Sequence, residues 1–183
     1  MKLLVLADID DLRWQGGRGR ADVLLSLGDI ADTVILQAAE AWRCPDILAV
    51  KGNHDSEAPF PPPISDLHLR SAELGGLRFA GLNGCWQYKP RGHFLYYQEE
   101  AESMLDAFPA VDVFISHNSP RGVHDREDGV HTGFNALNSY IERVKPRLLL
   151  HGHQHQARET RVGATRVICV YGWKEIEIKP LEQ

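Results

Sequence analysis

Five short apolar runs in this chain end the same way, and that shared ending constrains the fold more than any other feature. Leu3–Ala7 runs into Asp8, Val23–Leu27 into Gly28-Asp29, and Ile47–Val50 into Lys51 and then Gly52-Asn53-His54-Asp55. Val111–Ser116 runs into His117-Asn118, and Leu148–Leu150 into His151-Gly152-His153-Gln154-His155. Runs of this length, rich in Val, Ile and Leu and bounded by polar residues, read as buried strands. A polar group left unpaired beside a buried run is costly, so these side chains need partners. In α/β sheets the carboxyl ends of the strands are where ligands bind. If the strands are parallel neighbours, their carboxylates, amide and imidazoles converge on one pocket.

The remaining pattern completes an α/β reading. Leu67–Leu74 and Leu77–Leu82 flank Gly75-Gly76, a good hairpin turn. Ala157–Val162 and Thr165–Val170 flank Gly163-Ala164, and Glu175–Lys179 alternates, which predicts an antiparallel meander at the C-terminal end. Helices are expected over Thr33–Trp42, Glu99–Ala107 and Asn135–Val144, the last with Leu137, Tyr140, Ile141 and Val144 on one face. Strand–helix alternation followed by a hairpin-rich half predicts two stacked sheets with helices outside. At 183 residues one domain spanning 1–183 is expected. Pro59 and Pro61-Pro62-Pro63 read as a loop within it.

Composition narrows the partners. With 20 Lys+Arg against 25 Asp+Glu the formal charge is −5, so no global basic field draws the chain to nucleic acid or to an anionic membrane. Any phosphate chemistry must bring its own local positive charge. The 3 cysteines, Cys44, Cys85 and Cys169, are widely spaced and lack CxxC, which argues against a disulfide framework and a thiolate zinc site. The apolar run at Met1–Ala7 stops at Asp8, too short for a signal peptide. No stretch approaches the roughly 20 apolar residues of a membrane span. A cytoplasmic protein without a membrane partner is the expectation, its oligomeric state open.

That leaves 9 histidines to explain. Carboxylate, carboxamide and neutral imidazole without thiolate form a hard-to-intermediate donor set, suited to Mn²⁺, Fe or Zn²⁺. There are too many groups for one tetrahedral ion. Two cations about 3.5–4 Å apart, bridged by one carboxylate, would use them all. Gly28, Gly52 and Gly152 beside the donors permit tight turns and close backbone approach. The His153-x-His155 spacing on a turning segment can direct each imidazole to a different ion.

The ordered set Asp8-x-Asp10, Gly28-Asp29, Gly52-Asn53-His54-Asp55, His117 and Gly152-His153-x-His155 resembles the calcineurin-like metallophosphoesterases, and the match runs from residue 8 to residue 155. The resemblance implies a four-layer α/β/β/α sandwich of two mixed β-sheets flanked by helices, holding two divalent metal ions. It implies Asp8, Asp29 and His155 as ligands of one cation and Asn53, His117, His153 and Asp29 as ligands of the other, with Asp29 bridging. His54 is similar to the histidine that faces the leaving group, with Asp55 orienting it. The family usually has histidine where this chain has Asp10. A carboxylate there can ligate directly and favours harder ions, against a supporting role behind the ligands or a looser hold on the first metal. Mn²⁺ is thus the preferred metal, with Fe, Zn²⁺, Ni²⁺ and Mg²⁺ open.

The implied activity is hydrolysis of a phosphate ester through a hydroxide bridging the two cations, most simply a phosphodiesterase acting on a nucleotide or other small phosphorylated molecule. A phosphomonoesterase or nuclease of the same fold is the alternative, and a metal-degenerate binding or scaffold protein the alternative of another class. The segment after Gly28-Asp29 lacks the arginine of Ser/Thr protein phosphatases.

Three flanking segments remain. Cys85–Tyr97 mixes aromatics with Lys89, Arg91 and His93, so Trp86 and Arg91 are candidate contacts for a nucleotide-like substrate, against an aromatic cap on the core. Gly122–His131 is His- and Asp-rich, which makes His131 a candidate at the pocket edge, against a solvated helix entry. Asn53 and His54 are candidate substrate contacts as well. Arg13–Arg20 reads as a mobile basic loop near Asp10, while His68 and His151 read as structural.

Overall fold

The computed structural model describes residues 1–179. Lys2–Ala7 (β1), Val23–Ser26 (β2) and Asp46–Ala49 (β3) lie parallel, with Asp32–Trp42 (α1) crossing between the last two. Ile64–Asp66 (β4) adds in parallel to β3. The chain then leaves this sheet. Ser71–Leu74 (β5) and Leu77–Leu82 (β6) form the expected hairpin in a second sheet. A short parallel ribbon follows, Cys85–Trp86 (β7) with Leu95–Tyr96 (β8), and then Gln98–Leu105 (α2). Val113–Ser116 (β9), Asn135–Val144 (α3), Leu148–His151 (β10), Arg158–Val162 (β11) and Thr165–Cys169 (β12) continue the second sheet, and Gly172–Glu177 (β13) closes the chain. The sheet orders are β13-β1-β2-β3-β4 and β11-β12-β10-β9-β6-β5.

Side-chain alternation explains how these pieces stack. Leu3, Val5 and Ala7 face the second sheet, together with Val23, Leu25, Phe79, Val113, Ile115 and Leu150. Leu4 and Leu6 on the same strand face the opposite way, onto Val34, Ile35, Ala38 and Trp42 of α1. On the far side Ala80, Phe114 and Leu149 pack against Leu105, Leu137, Tyr140 and Ile141 of α2 and α3. Three apolar seams between four layers make the α/β/β/α sandwich. They also explain why the strands read as unbroken apolar runs: both faces are covered.

Two expectations change. The C-terminal block is not a meander. β11 and β12 do pair antiparallel, but β12 runs parallel to β10, and β13 crosses to the first sheet and pairs antiparallel with β1. Ile176 and Ile178 are thereby buried between the sheets, a destination that local alternation cannot show. The strand expected over Leu67–Leu74 exists only from Ser71. Residues 67–70 carry the chain from β4 to the second sheet, with Leu69 in the left-handed region (φ 51°) and Leu67 buried between the sheets.

The loop Arg13–Arg20, read as mobile, is pinned to α1. Trp14 N–H donates to Gln37 Oε1 (2.9 Å), Gly19 N–H to Ala41 O, and the Trp14 ring meets Trp173 edge-on.

Candidate functional site

The ligand-bearing strand ends come from both sheets. β1, β2 and β3 deliver Asp8, Asp29 and Asn53-His54 from the first sheet, while β9 and β10 deliver His117 and His153 from the second. The five runs are therefore not five neighbours in one sheet. They meet because both parallel blocks end at the same edge of the sandwich, where Asp8 N–H donates to Gly28 O and Gly152 N–H donates to His117 O.

At that edge one carboxylate oxygen each from Asp8 and Asp29 and one nitrogen of His117 lie within 4.8 Å of one another. His117 Nε2 is 3.2 Å from Asp29 Oδ2 and 3.2 Å from Asn53 Oδ1. Those separations are the edges expected around one cation with bonds of about 2.0–2.2 Å. The other nitrogen, Nδ1, donates to Leu27 O at 2.9 Å, which aims Nε2 into the cluster. Asp8 Oδ2 accepts the His153 N–H (2.9 Å), and its Oδ1 is buried with no hydrogen-bond partner. An orphaned carboxylate oxygen beside this donor set fits a bound cation. His155 extends the cluster, its Nε2 3.5 Å from Asp8 Oδ1, and the His117 and His153 rings lie 4.9 Å apart.

The backbone is strained where the ligands sit. Asp8 (φ 52°), Asp29 (φ 55°), His153 (φ 63°) and His155 (φ 50°) all occupy the left-handed region, which costs non-glycine residues energy and collects at functional sites. Glycines make room. A Cβ on Gly52 would lie 2.0 Å from Asp29 Oδ1, and one on Gly152 would lie 2.6 Å from Asp8 Oδ2.

Electrostatics follow from burial and pairing. Burial holds the Asp8 carboxyl above its ordinary range, with His117 pulling the other way. Burial alone would raise Asp29 too, but the neighbouring His117 cation and its hydrogen bond bring it down to about 2. For His117, burial works against the charge, yet Asp29 and then Asp8 push it up to about 9. Burial lowers His153 well below the usual histidine range.

The other sequence candidates are placed as follows. His54 is exposed, donates its backbone N–H to Asp29 Oδ1 (2.8 Å), and lines a cavity of about 430 Å³ with Asp8, Asp10, Asp29 and His155. Asp10 is exposed on that cavity wall. Asp55 accepts the N–H groups of Asp29 (2.9 Å), Ile30 (3.2 Å) and Gly52 (2.7 Å), so it joins the two loops that carry Asp29 and Asn53-His54. Its hold on His54 runs through that backbone and not through the imidazole. Trp86 packs edge-on to Tyr97 against the seam beneath α2 and α3, away from the cavity wall, and Arg91 is exposed on its loop.

The loop 121–134 leads into α3 and is exposed at residues 126–129, yet it turns two histidines inward. His131 lies with its ring 5.0 Å from that of His153 and its Nδ1 2.6 Å from Asp128 Oδ2. His124 turns inward, Nδ1 to His151 Nε2 (3.0 Å) and Nε2 to Thr160 Oγ1 (2.9 Å). Sequence reading missed Tyr88, whose hydroxyl accepts from Asn53 Nδ2 (3.2 Å), and Cys85, whose thiol donates to Asn53 Oδ1 (3.2 Å). Both lie in the aromatic segment 85–97, but only tertiary contact connects them to Asn53.

Residues 1–170 match the model of the calcineurin-like phosphoesterase superfamily domain. The chain belongs to this superfamily. Its members use divalent metals in phosphoester chemistry, and the buried Asp8–Asp29–His117 cluster is where this member would hold one. A curated relative, the UPF0046 protein K07C11.7 of Caenorhabditis elegans, is 27% identical over 97 residues, which is 51% of this chain and 32% of that protein. The chain thus matches about a third of that relative's length. Solved structures share the fold. TT1561 of Thermus thermophilus has a TM-score of 0.62 at 16% identity, covering 93% of this chain and 89% of that one. Phosphopantetheinyl hydrolase of Mycobacterium tuberculosis has a TM-score of 0.60 at 11% identity, covering 100% and 98%. Zinc-complexed Vps29 of Entamoeba histolytica has a TM-score of 0.54 at 13% identity, covering 99% and 88%. Among the described residues no helix is long and apolar enough to cross a membrane.

Proposed function

We propose that this member is a metal-dependent phosphoric ester hydrolase, foremost a phosphodiesterase acting on a nucleotide or similarly small phosphorylated molecule. The observation that carries the reading is the unpartnered Asp8 Oδ1, buried beside Asp29, Asn53 and His117 in a hard donor set. Two divalent cations, Mn²⁺ foremost, would supply the Lewis acidity that polarises a phosphoryl group and activates water. Asp8, Asp29 and His155 would hold one and Asn53, His117 and His153 the other, with Asp29 shared and Asp10 a further oxygen donor at the cavity wall.

The chain's own residues do the rest. His54, exposed on the wall of the cavity, would hand a proton to the departing oxygen. Asp55 keeps the His54 loop in register with Asp29 through three backbone amides. His131, tethered by Asp128, stands beside the His153 ring. The acidic net charge is no obstacle once cations define the local field. Free Cys44, Cys85 and Cys169 suit a reducing, cytoplasmic setting.

The test is twofold. Purified protein should hold about two divalent ions per chain and hydrolyse bis-p-nitrophenyl phosphate when Mn²⁺ is added. A well-folded chain that takes up no metal and is inert across Mn²⁺, Zn²⁺, Ni²⁺ and Mg²⁺ would sink the reading and favour a binding or scaffold role.

A further inference from the structure

We propose that the amino-terminal edge of the second sheet holds an anion site, built for a compact oxyanion of the phosphate class that carries several negative charges. A cavity of about 370 Å³ opens there, lined by Lys145, Arg147, Arg161, Arg166 and Lys179, with Glu177 the one carboxylate among its described lining residues. Leu148, which also lines it, begins β10 and stands in register with Arg166 of β12. The other end of β10 leads to His153, so the cavity lies at the edge opposite the Asp8–Asp29–His117 cluster. No residue of that cluster takes part, and no metal is needed.

Charge sets this cavity apart in a chain whose formal charge is −5. Arg166 is paired, its Nε 2.9 Å from Glu159 Oε1. Among the described residues Lys145, Arg147, Arg161 and Lys179 form no ion pair. The adjoining hollow shares Lys145 and Arg147 but adds Glu73 and Asp112 along with Arg78, so its imbalance is smaller. A cleft lined by one sign of charge concentrates ions of the other.

Arg147 supplies a second observation. Its Nη2 donates to Lys179 O at 2.5 Å, which ties the guanidinium to the chain just after β13. Its Nη1 is shielded from solvent and, among the described residues, meets no acceptor. A shielded donor on a charged group is costly to leave unpaired, so this side chain of the cavity wall calls for an acceptor. Guanidinium forks beside ammonium groups suit phosphate oxygens, which accept charge-assisted bonds from several directions. Glu177 and Glu159 offset two of the five cations, and the remaining three match a pyrophosphate group better than a lone carboxylate.

Calorimetric titration of the full chain with inorganic pyrophosphate, after metal is stripped and the chelator removed, tests this without turnover. One anion should bind per chain, more weakly as salt is raised. Arg147→Met and Arg161→Gln should each weaken it about tenfold, the scale of one hydrogen bond to a charged group. Arg161 is exposed, so its variant carries the test if Arg147→Met fails to fold, which a melting curve reads. Arg43→Gln, which removes a cation at the end of α1, and Asp29→Asn, at the metal cluster, should leave the affinity unchanged. A nucleoside diphosphate titrated alongside separates the two sources of this group: tighter uptake assigns a nucleotide, weaker uptake a free pyrophosphate. No binding at low salt, or equal weakening by Arg43→Gln and Arg161→Gln, would overturn the site.

Discussion

His117 faces Asp29 with one nitrogen and the Leu27 carbonyl with the other: Nε2 lies 3.2 Å from Asp29 Oδ2, and Nδ1 donates to Leu27 O at 2.9 Å. In the metal-free chain this is an ion pair, with Asp29 lowered to about 2 and His117 raised to about 9. A cation taking Nε2 must displace that proton. Titrating Mn²⁺ at pH 7 in buffers of different ionisation enthalpy should therefore show release of about one proton for the first ion. Affinity should fall as the pH falls below the histidine pKa. Binding without proton release would place the ion elsewhere.

Asp29→Asn tests the shared ligand. The amide keeps the size of the side chain and removes the charge that both cations would share. Metal content should drop below one ion per chain and diester turnover should vanish, while the fold persists because the three apolar seams lie elsewhere. Full activity in this variant would falsify the dinuclear arrangement.

Gly52→Ala should act without replacing a ligand. The added methyl would sit 2.0 Å from Asp29 Oδ1 and 2.7 Å from His117 Cε1, so the carboxylate must move. Metal affinity should fall by about 10–100-fold, as for other changes that displace a ligand from behind. Equilibrium dialysis against Mn²⁺ reads this directly, and unchanged affinity would show that Asp29 is not held where the cation needs it.

His54→Ala should separate binding from chemistry. His54 touches the cluster only through its backbone N–H, so the variant should keep its metals. Turnover should fall by about 10²–10⁴, the range for a lost general acid, and more for poor leaving groups than for p-nitrophenolate. A parallel loss of metal would instead give the imidazole a structural task.

Acid should loosen the metal-free fold through His151. This ring is buried with its Nδ1 bonded to Gly152 O and its Nε2 to His124, and burial lowers its pKa to about 3. The unfolded chain takes up the proton near the ordinary 6.5, so the unfolded state binds more protons between those limits. Stability is then full above pH 6.5 and is lost as the pH falls toward 3, by up to about 1.4 kcal/mol per pH unit. Thermal melts of the chelator-treated protein should show this slope, and His151→Asn should flatten it. An unchanged slope would assign the acid sensitivity to other groups.

The layers of the sandwich are legible in the sequence because both faces of β1, β2 and β9 are covered, leaving unbroken apolar runs. Donor identity was legible for a related reason. A charged or amide group directly after such a run has no solvent to fall back on, so Asp8, Asn53 and His117 stand out by position alone. The family resemblance then ordered them. Strand pairing was not legible in the same way. Whether Gly172–Glu177 pairs with its neighbour in sequence or crosses to β1 depends on where Ile176 and Ile178 find apolar cover, a property of the assembled sheets.

The sequence by itself determined the chemistry of this protein: which donors exist, that thiolates are absent from the set, and that the polar groups stand at strand ends. Only the tertiary structure decided which of them share a site. It brought two separate sheets to a common edge, turned Asp8 and Asp29 into left-handed backbone so their carboxylates meet His117, and set Tyr88 against Asn53 across 35 residues of chain. The physical reason is range. Alternation and turn chemistry act over a few residues, whereas a coordination cluster is fixed by contacts between segments that the chain keeps far apart.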